Sequence, residues 1–343
     1  MSRRRPVAVV TGASRGAGLG IAHALGGHGC TVYVTGRTER TGQSSLTGTI
    51  HQTAALVTSA GGNGIAVRVD HSDDKQTKAL FDQIHHEQGR LDILVNNAAI
   101  IRDEMMGPTK FWEEPINVID TLDVRLRSGY VATVYAAPLM LPQRKGLVVF
   151  TSASGAVHYT FGPAYGVHKA GLEKMAADMA VDFKDFGIAT VSIWMGALLT
   201  ERLKKIVASN PEKRGHVLDT AETPELTGHV IWALYNDLNL MEVTGRTLIG
   251  AEMADAYGIN DDRDREVLEK PGGRSARRVS RKAKTDLPPT ATDNEPNRKR
   301  RERTCGYASR VNGINVIDHS RPHQSSTRAA LIQPGARLVN NSQ

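Results

Sequence analysis

Residues 6–27 constrain the fold of this chain more than any other segment. Pro6-Val7-Ala8-Val9-Val10 is a short apolar run with the β-branched bias of a buried strand. It runs straight into Thr11-Gly12-Ala13-Ser14-Arg15-Gly16-Ala17-Gly18, after which Leu19, Ile21, Ala22 and Leu25 recur at helical spacing as far as Gly26-Gly27. The order is strand, glycine turn, helix. Glycine lets the backbone turn sharply and approach a ligand with no Cβ in the way. The helix start offers unpaired N–H groups and a positive dipole end to a pyrophosphate. An ordinary βα turn shares these flanks, but glycines at 12, 16 and 18 in this context favour a dinucleotide site.

A second pattern lies downstream. Tyr165-Gly166-Val167-His168-Lys169 sets a phenol and an ammonium four residues apart, with Ser152 thirteen residues before the phenol. On a helix, residues i and i+4 share a face, so Lys169 can stabilise a Tyr165 phenolate. A free phenol has a pKa of about 10, and a catalytic acid or base works best when that value approaches the operating pH. Taken alone, the pattern fits a solvated helix face better than a catalytic pair.

Between these motifs the chain alternates strand-like and helix-like segments. Strands are expected near 6–11, 31–35, 64–69, 91–95, 146–151, 188–194 and 245–249, and helices near 17–28, 51–60, 73–88, 116–140, 164–186 and 223–236. This rhythm predicts an α/β fold: a Rossmann-type, doubly wound parallel sheet in three α/β/α layers. Ligands of such sheets bind beyond the carboxyl ends of the strands, where each motif falls.

The glycine pattern T-G-x-x-x-G-x-G, with Asn96-Asn97-Ala98-Ala99, Ser152, Tyr165 and Lys169, resembles the short-chain dehydrogenase/reductase superfamily from about residue 6 to residue 258. Phe111-Trp112-Glu113-Glu114-Pro115, Leu126-Arg127-Ser128-Gly129-Tyr130 and Tyr165 to Ala170 are similar to the subgroup of dehydrogenase/reductase SDR family member 1-like proteins. The resemblance implies that Ser152 hydrogen-bonds the substrate oxygen and Tyr165 supplies or removes its proton. It implies that Lys169 holds the nicotinamide ribose and lowers the tyrosine pKa. It further implies cofactor contacts from Gly12, Ser14, Arg15, Gly16 and Gly18 in the turn, Asp70 near the adenine, Asn96 beside the ribose and Thr200 near the carboxamide. Asp70 is also suited to cap the helix beginning around Asp73.

Charge decides the cofactor expectation. An NAD site usually ends its second strand in an acidic residue that accepts from the ribose 2′-hydroxyl and repels a 2′-phosphate. Here the strand ends in Gly36-Arg37, and Arg37 and Arg15 offer guanidinium forks for a phosphate, so NADP(H) is preferred, with NAD(H) second. Two departures bear on activity. Arg125 stands where many relatives carry an asparagine that holds a proton-relay water, and Met195-Gly196 replaces Pro-Gly. Arg125 either adds positive potential near Lys169 or points into solvent.

Net charge is +7, from 43 Lys/Arg against 36 Asp/Glu, and its location matters. From Lys270 onward there are 16 basic against 5 acidic residues, leaving 27 against 31 in the first 269. The expected organisation is therefore a mildly acidic cofactor-binding domain over 1–267 and a basic, low-complexity, disordered tail over 268–343. Arg298-Lys299-Arg300-Arg301-Glu302-Arg303 lacks interleaved aromatics, so nucleic acid is not an expected partner except through that tail. No apolar run is long enough to span a bilayer and no signal-peptide pattern follows Arg3-Arg4-Arg5, so a cytoplasmic location is expected. Cys30 and Cys305 form no metal or disulfide framework, and His85-His86-Glu87 lacks ligand spacing, so no metal site is expected.

The functional expectation is an NADP(H)-dependent carbonyl reductase or alcohol dehydrogenase acting on a small-molecule carbonyl or alcohol. Residues 198–216 are expected to cover the substrate, with Met195, Leu198, Leu199, Leu203, His158, Tyr159 and Phe161 forming a mainly apolar pocket. A homodimer or homotetramer formed through helices 116–140 and 164–186 is expected. The alternative is a non-enzymatic dinucleotide-binding regulatory protein.

Overall fold

The computed structural model describes residues 4–107, 109–261, 308–311 and 314–317. Strands β1 (Val7–Val10), β2 (Thr31–Gly36), β3 (Asn63–Arg68), β4 (Ile93–Asn96), β5 (Gly146–Ser152), β6 (Ile188–Trp194) and β7 (Thr247–Ile249) are all parallel. They lie in the order β3-β2-β1-β4-β5-β6-β7. Helices α1 (Gly16–Gly27), α2 (Ile50–Ser59), α3 (Asp74–Gln88), α4 (Ser128–Met140) and α5 (Pro163–Phe183) alternate with the first six strands. They are followed by α6 (Glu201–Ala208), α7 (Pro211–Arg214), α8 (His216–Thr220), α9 (Pro224–Asn236) and α10 (Gly250–Ala256).

Continuous apolar strands bury both faces of the sheet. In β1 no polar residue alternates with the apolar ones: Val7, Ala8, Val9 and Val10 are all buried, with Ala8 and Val10 facing one apolar layer and Val7 and Val9 the other. The first layer packs Ile21 and Leu25 of α1 with Val230, Ile231 and Leu234 of α9. The second packs Leu80 and Ile84 of α3 with Ala132 and Ala136 of α4 and Leu172 and Ala176 of α5. This is the doubly wound, three-layer architecture expected from the sequence, and strand order reverses between β1 and β4, which opens a crevice at their carboxyl ends.

Local chemistry sets the helix starts. Thr49 and Gln52 form a reciprocal capping box at α2. At α3 the cap is Asp73, whose side chain accepts from the backbone N–H groups of Lys75 and Gln76. Asp70 instead accepts from the backbone and hydroxyl of Ser72, so its carboxylate stays beside the sheet end. The expected long helix over 116–140 is divided. A 3-10 turn at Ile116–Ile119 and a π-helical segment at Leu122–Arg127 precede α4. Among the described tail residues, β8 (Ala308–Val311) and β9 (Ile314–Ile317) form a hairpin whose β9 pairs antiparallel with β7. The rest of the tail, including the basic run at 298–303, lies outside the described residues.

Candidate active site

Thr11 ties the two strand ends at the crevice together. Its hydroxyl accepts from the backbone N–H groups of Asn97 and Ala98, 2.8 and 2.9 Å away. The Asn97 amide donates in turn to the carbonyls of Thr11 and Gly12 at 2.9 and 3.2 Å. Gly12 has φ +65°, and a Cβ there would lie 2.6 Å from Ala98 Cα, a backbone atom that cannot yield. Gly16 and Gly18 form the first turn of α1, whose N-cap residue Arg15 makes no side-chain cap bond. Ser14 is buried at the same turn. A glycine cradle ending in an uncapped helix start fits a pyrophosphate. Asn97, rather than Asn96, braces the turn. Asn96 donates to Thr133 Oγ1 at 3.1 Å, while its own amide oxygen is buried without a partner. Two consecutive asparagines at a strand end point to opposite sides, and sequence alone does not say which side faces the turn.

Arg15 and Arg37 differ in freedom. Arg15 is held by the 38–48 loop: its guanidinium donates to Ser44 Oγ at 2.7 Å and to Thr38 Oγ1 and the Gly48 carbonyl, both at 2.9 Å. Burial lowers its pKa while nearby Glu201 opposes the shift. Arg37 is 58% exposed, with its nearest carboxylate, Asp70, at 3.8 Å. The backbone and hydroxyl of Ser72 hold the Asp70 carboxyl low against its own desolvation.

Tyr165 and Lys169 occupy one face of α5, with Lys169 Nζ 5.5 Å from the Tyr165 ring centroid. The ring is fixed by edge contacts to Phe161 and His168, each at 5.0 Å between centroids. It also lies flush on Gly155, where a Cβ would sit 2.3 Å from Tyr165 Cε1. Register pairs Ser152 with Trp194 at the ends of β5 and β6. Ser152 is fully buried, and its hydroxyl lies 3.3 Å from Glu173 Oε1 and 3.5 Å from the Lys169 carbonyl. Tyr165 and Lys169 thus share a face of α5, whereas the Ser152 hydroxyl is directed to Glu173, further along the same helix. Ser154, two residues further on, is exposed.

Two buried charged residues complete the site. Glu173, one helical turn beyond Lys169 and 2% exposed, accepts from Trp194 Nε1 as well as from Ser152. Arg125 points inward rather than to solvent and is 5% exposed. Its guanidinium donates to the Asn97 and Thr151 carbonyls and, at 2.8 Å, to Thr151 Oγ1. Burial lowers the Arg125 pKa to about 10, with the Tyr165 phenol opposing. Burial raises the Tyr165 pKa, and the cation that counters it is Arg125. Burial and then Arg125 hold Lys169 well below the usual lysine range, against Glu173. His168 is pushed down to about 2 by burial, Lys169 and Arg125. The i+4 spacing of Glu173 from Lys169 is legible in the sequence; its partner Trp194 is not.

Residues 198–216, expected to cover the substrate, contain α6 and α7 and reach the start of α8. Thr200 caps α6 by accepting from Leu203 N–H, and its methyl lies 3.8 Å from where a Cβ on Gly16 would stand, so the cover starts against the glycine turn. Glu201 accepts from the backbone and hydroxyl of Thr47 at 3.1 and 2.6 Å, and Arg202 pairs with Asp103 at 2.9 Å. Met195, Leu198, Leu199, Leu203 and Phe161 are partly buried, whereas His158 is exposed and Tyr159 is 83% exposed. The last two therefore line no enclosed pocket. No group of three potential metal ligands occurs among the described residues.

Comparison with known proteins places this geometry. The family described as short chain dehydrogenase matches residues 6–211. Dehydrogenase/reductase SDR family member 1 of Mus musculus is 39% identical over 274 residues, covering 77% of this chain and 85% of its own length. The Homo sapiens protein of the same name has the same identity and coverage. Among solved structures, a short chain dehydrogenase from Mycobacterium thermoresistibile superposes with a TM-score of 0.62 at 22% identity, covering 74% of this chain and 87% of that chain. That likeness is one of fold.

Proposed function

The chain belongs to the short-chain dehydrogenase/reductase family, and from that premise we propose that it uses NADP(H) and a Ser152-Tyr165-Lys169 triad to interconvert a carbonyl and a secondary alcohol on an apolar small molecule. It is an NAD(P)-dependent oxidoreductase by family. The observation carrying the finer reading is the shared face of Tyr165 and Lys169 on α5, with the Ser152 hydroxyl 3.5 Å from the Lys169 carbonyl.

The residues of the turn, Gly12, Ser14, Gly16 and Gly18, would hold the pyrophosphate; Asp70 would lie at the adenine, with Asn96, Lys169 and Thr200 at the ribose and carboxamide. When bound, the dinucleotide supplies or takes up the hydride. A carbonyl also needs a proton on oxygen, and that proton must come from the protein. Tyr165 carries it, its ring held by Gly155, Phe161 and His168. The Ser152 hydroxyl, directed to Glu173 here, turns to the substrate oxygen and holds it against Tyr165. Arg37, exposed and only loosely paired with Asp70, meets a 2′-phosphate, which supports NADP(H) over NAD(H). Leu198, Leu199, Leu203 and Phe161 give the substrate an apolar wall. Outward-facing Tyr130 and Val134 of α4 and Val167 and Val181 of α5, all exposed, support pairing of two copies through these helices.

The test is titration with NADPH and NADH beside turnover on a panel of ketones and secondary alcohols. NADPH should bind more tightly, and Tyr165→Phe should keep that binding while losing about 10²-fold or more of kcat. Binding with no turnover, unchanged in Tyr165→Phe, is the result expected of a non-enzymatic dinucleotide-binding regulator and refutes the enzymatic reading.

A further inference from the structure

The two ends of the sheet are finished differently. At one end stands β3, partly exposed throughout, with Asn63 and Arg68 exposed at its two ends and Arg68 paired with Glu39 at 3.5 Å. A free edge is a template for another chain, and exposed polar or charged residues blunt it. Toward the other end, β7 reads Thr247-Leu248-Ile249, with no charge and no proline to protect an edge. Yet Thr247 is 1% exposed and Leu248 is fully buried. The element beside them is β9, which pairs antiparallel with β7, Ile317 against Thr247 and Val316 against Leu248, and packs against α10. The outer strand then becomes β8, four residues long with Arg310 in its sequence, the short and charged form that free edges take.

β9 runs in the direction that β7 of a second copy would take. Identical strands set edge to edge about a twofold axis are antiparallel, and the contact they make is self-complementary and closed. β9 fills that place from within the chain. Residues 262–307 tether it to the core, and a tether makes docking intramolecular, at an effective concentration well above that of other copies in dilute solution. We propose that residues 308–317 are a built-in edge cap: they close β7 to strand addition, and the partner they exclude is a second copy of this chain offering its own β7. The sheet therefore ends inside one chain instead of running on into the next.

Val316→Pro in the full chain tests the cap. β9 lies between β7 and β8, and proline is tolerated in an edge strand but not in an interior one. Size-exclusion chromatography with light scattering should give this variant about twice the molar mass of the parent, as two β7 edges meet. Equal masses overturn the proposal. A second measurement keeps β7 covered. Thr247→Cys with Ile317→Cys, in a Cys305→Ser background that removes the thiol three residues before β8, places thiols on directly opposed residues. In an antiparallel pair such Cα atoms are about 4.5–5.5 Å apart, within the span a disulfide bridges. Oxidation should link the two within one chain, read as a cross-linked tryptic peptide pair from a band of single-chain size, with the assembly keeping the parent's mass. A covalent dimer means that the hairpin is exchanged between copies, and a missing link means that β9 does not dock; either result overturns the cap. Neither measurement needs turnover, so the result is independent of the substrate panel.

Discussion

Replacing Glu173 by glutamine keeps the shape and the acceptor oxygen but removes the charge. Ser152 and Trp194 both donate to Glu173 Oε1, and Glu173 and Ser152 are buried. A hydrogen bond to a charged group contributes about 1.5–3 kcal/mol and a neutral one about 0.5–1.5, so each bond weakens by roughly 1 kcal/mol. The 3.3 Å Ser152 contact is long, which keeps the sum for two bonds near 2 kcal/mol. At about 2–4 °C per kcal/mol for a domain of this size, Glu173→Gln should lower Tm by about 4–8 °C. Glu173→Leu takes the acceptor from buried Ser152 and partly buried Trp194, at about 1–3 kcal/mol each, and should fall further, by about 2–6 kcal/mol in all. Differential scanning calorimetry at pH 7.5 measures both. A glutamine variant melting with the parent, or a leucine variant at least as stable as the glutamine variant, refutes the reasoning, because the Ser152 and Trp194 bonds would then carry none of the assigned stability.

Two further outcomes follow from other parts of the site. Gly155→Ala puts a Cβ where the Tyr165 ring lies, so kcat should fall at least tenfold while NADPH affinity, set by the glycine turn, changes little; an unchanged kcat would show that the ring does not rest on Gly155. His71, buried and paired with Thr35 Oγ1 at 2.8 Å, has its pKa lowered from 6.5 to about 4 by desolvation. The unfolded chain therefore binds the extra proton first, so stability should be full above pH 6.5 and decline as pH falls toward 4. His28 acts in the same direction, so His71→Gln should flatten part of the decline in a Tm-against-pH series, and an unaltered slope would exclude His71 as a source.

What the sequence made legible was whatever depends on local pattern. Val7–Val10, the Gly12 turn and the α5 face carrying Tyr165 and Lys169 are set by short-range spacing, and they occur where that spacing predicts. What escaped depends on contacts distant in sequence. The inward course of Arg125 follows from a π-helical segment within a stretch that reads as continuous helix. The choice of Asn97 over Asn96 as the brace depends on which strand face meets Thr11, and Glu173 gains its place through Trp194, twenty-one residues on. Asp70, suited by sequence to cap the helix beginning around Asp73, yields that place to Asp73 itself. Helices α6 to α8 are short, and their hold on the body comes from Thr47 and Asp103, far away in the chain.

The bond between Glu201 and Thr47 has a mechanical consequence. Thr47 belongs to the loop that grips Arg15 through Thr38, Ser44 and Gly48, while Glu201 opens the first turn of α6. Lys205 adds a second tie, to the Ser45 carbonyl at 3.4 Å. Helix α6 and the loop that grips Arg15 are therefore tied to each other at both Thr47 and Ser45.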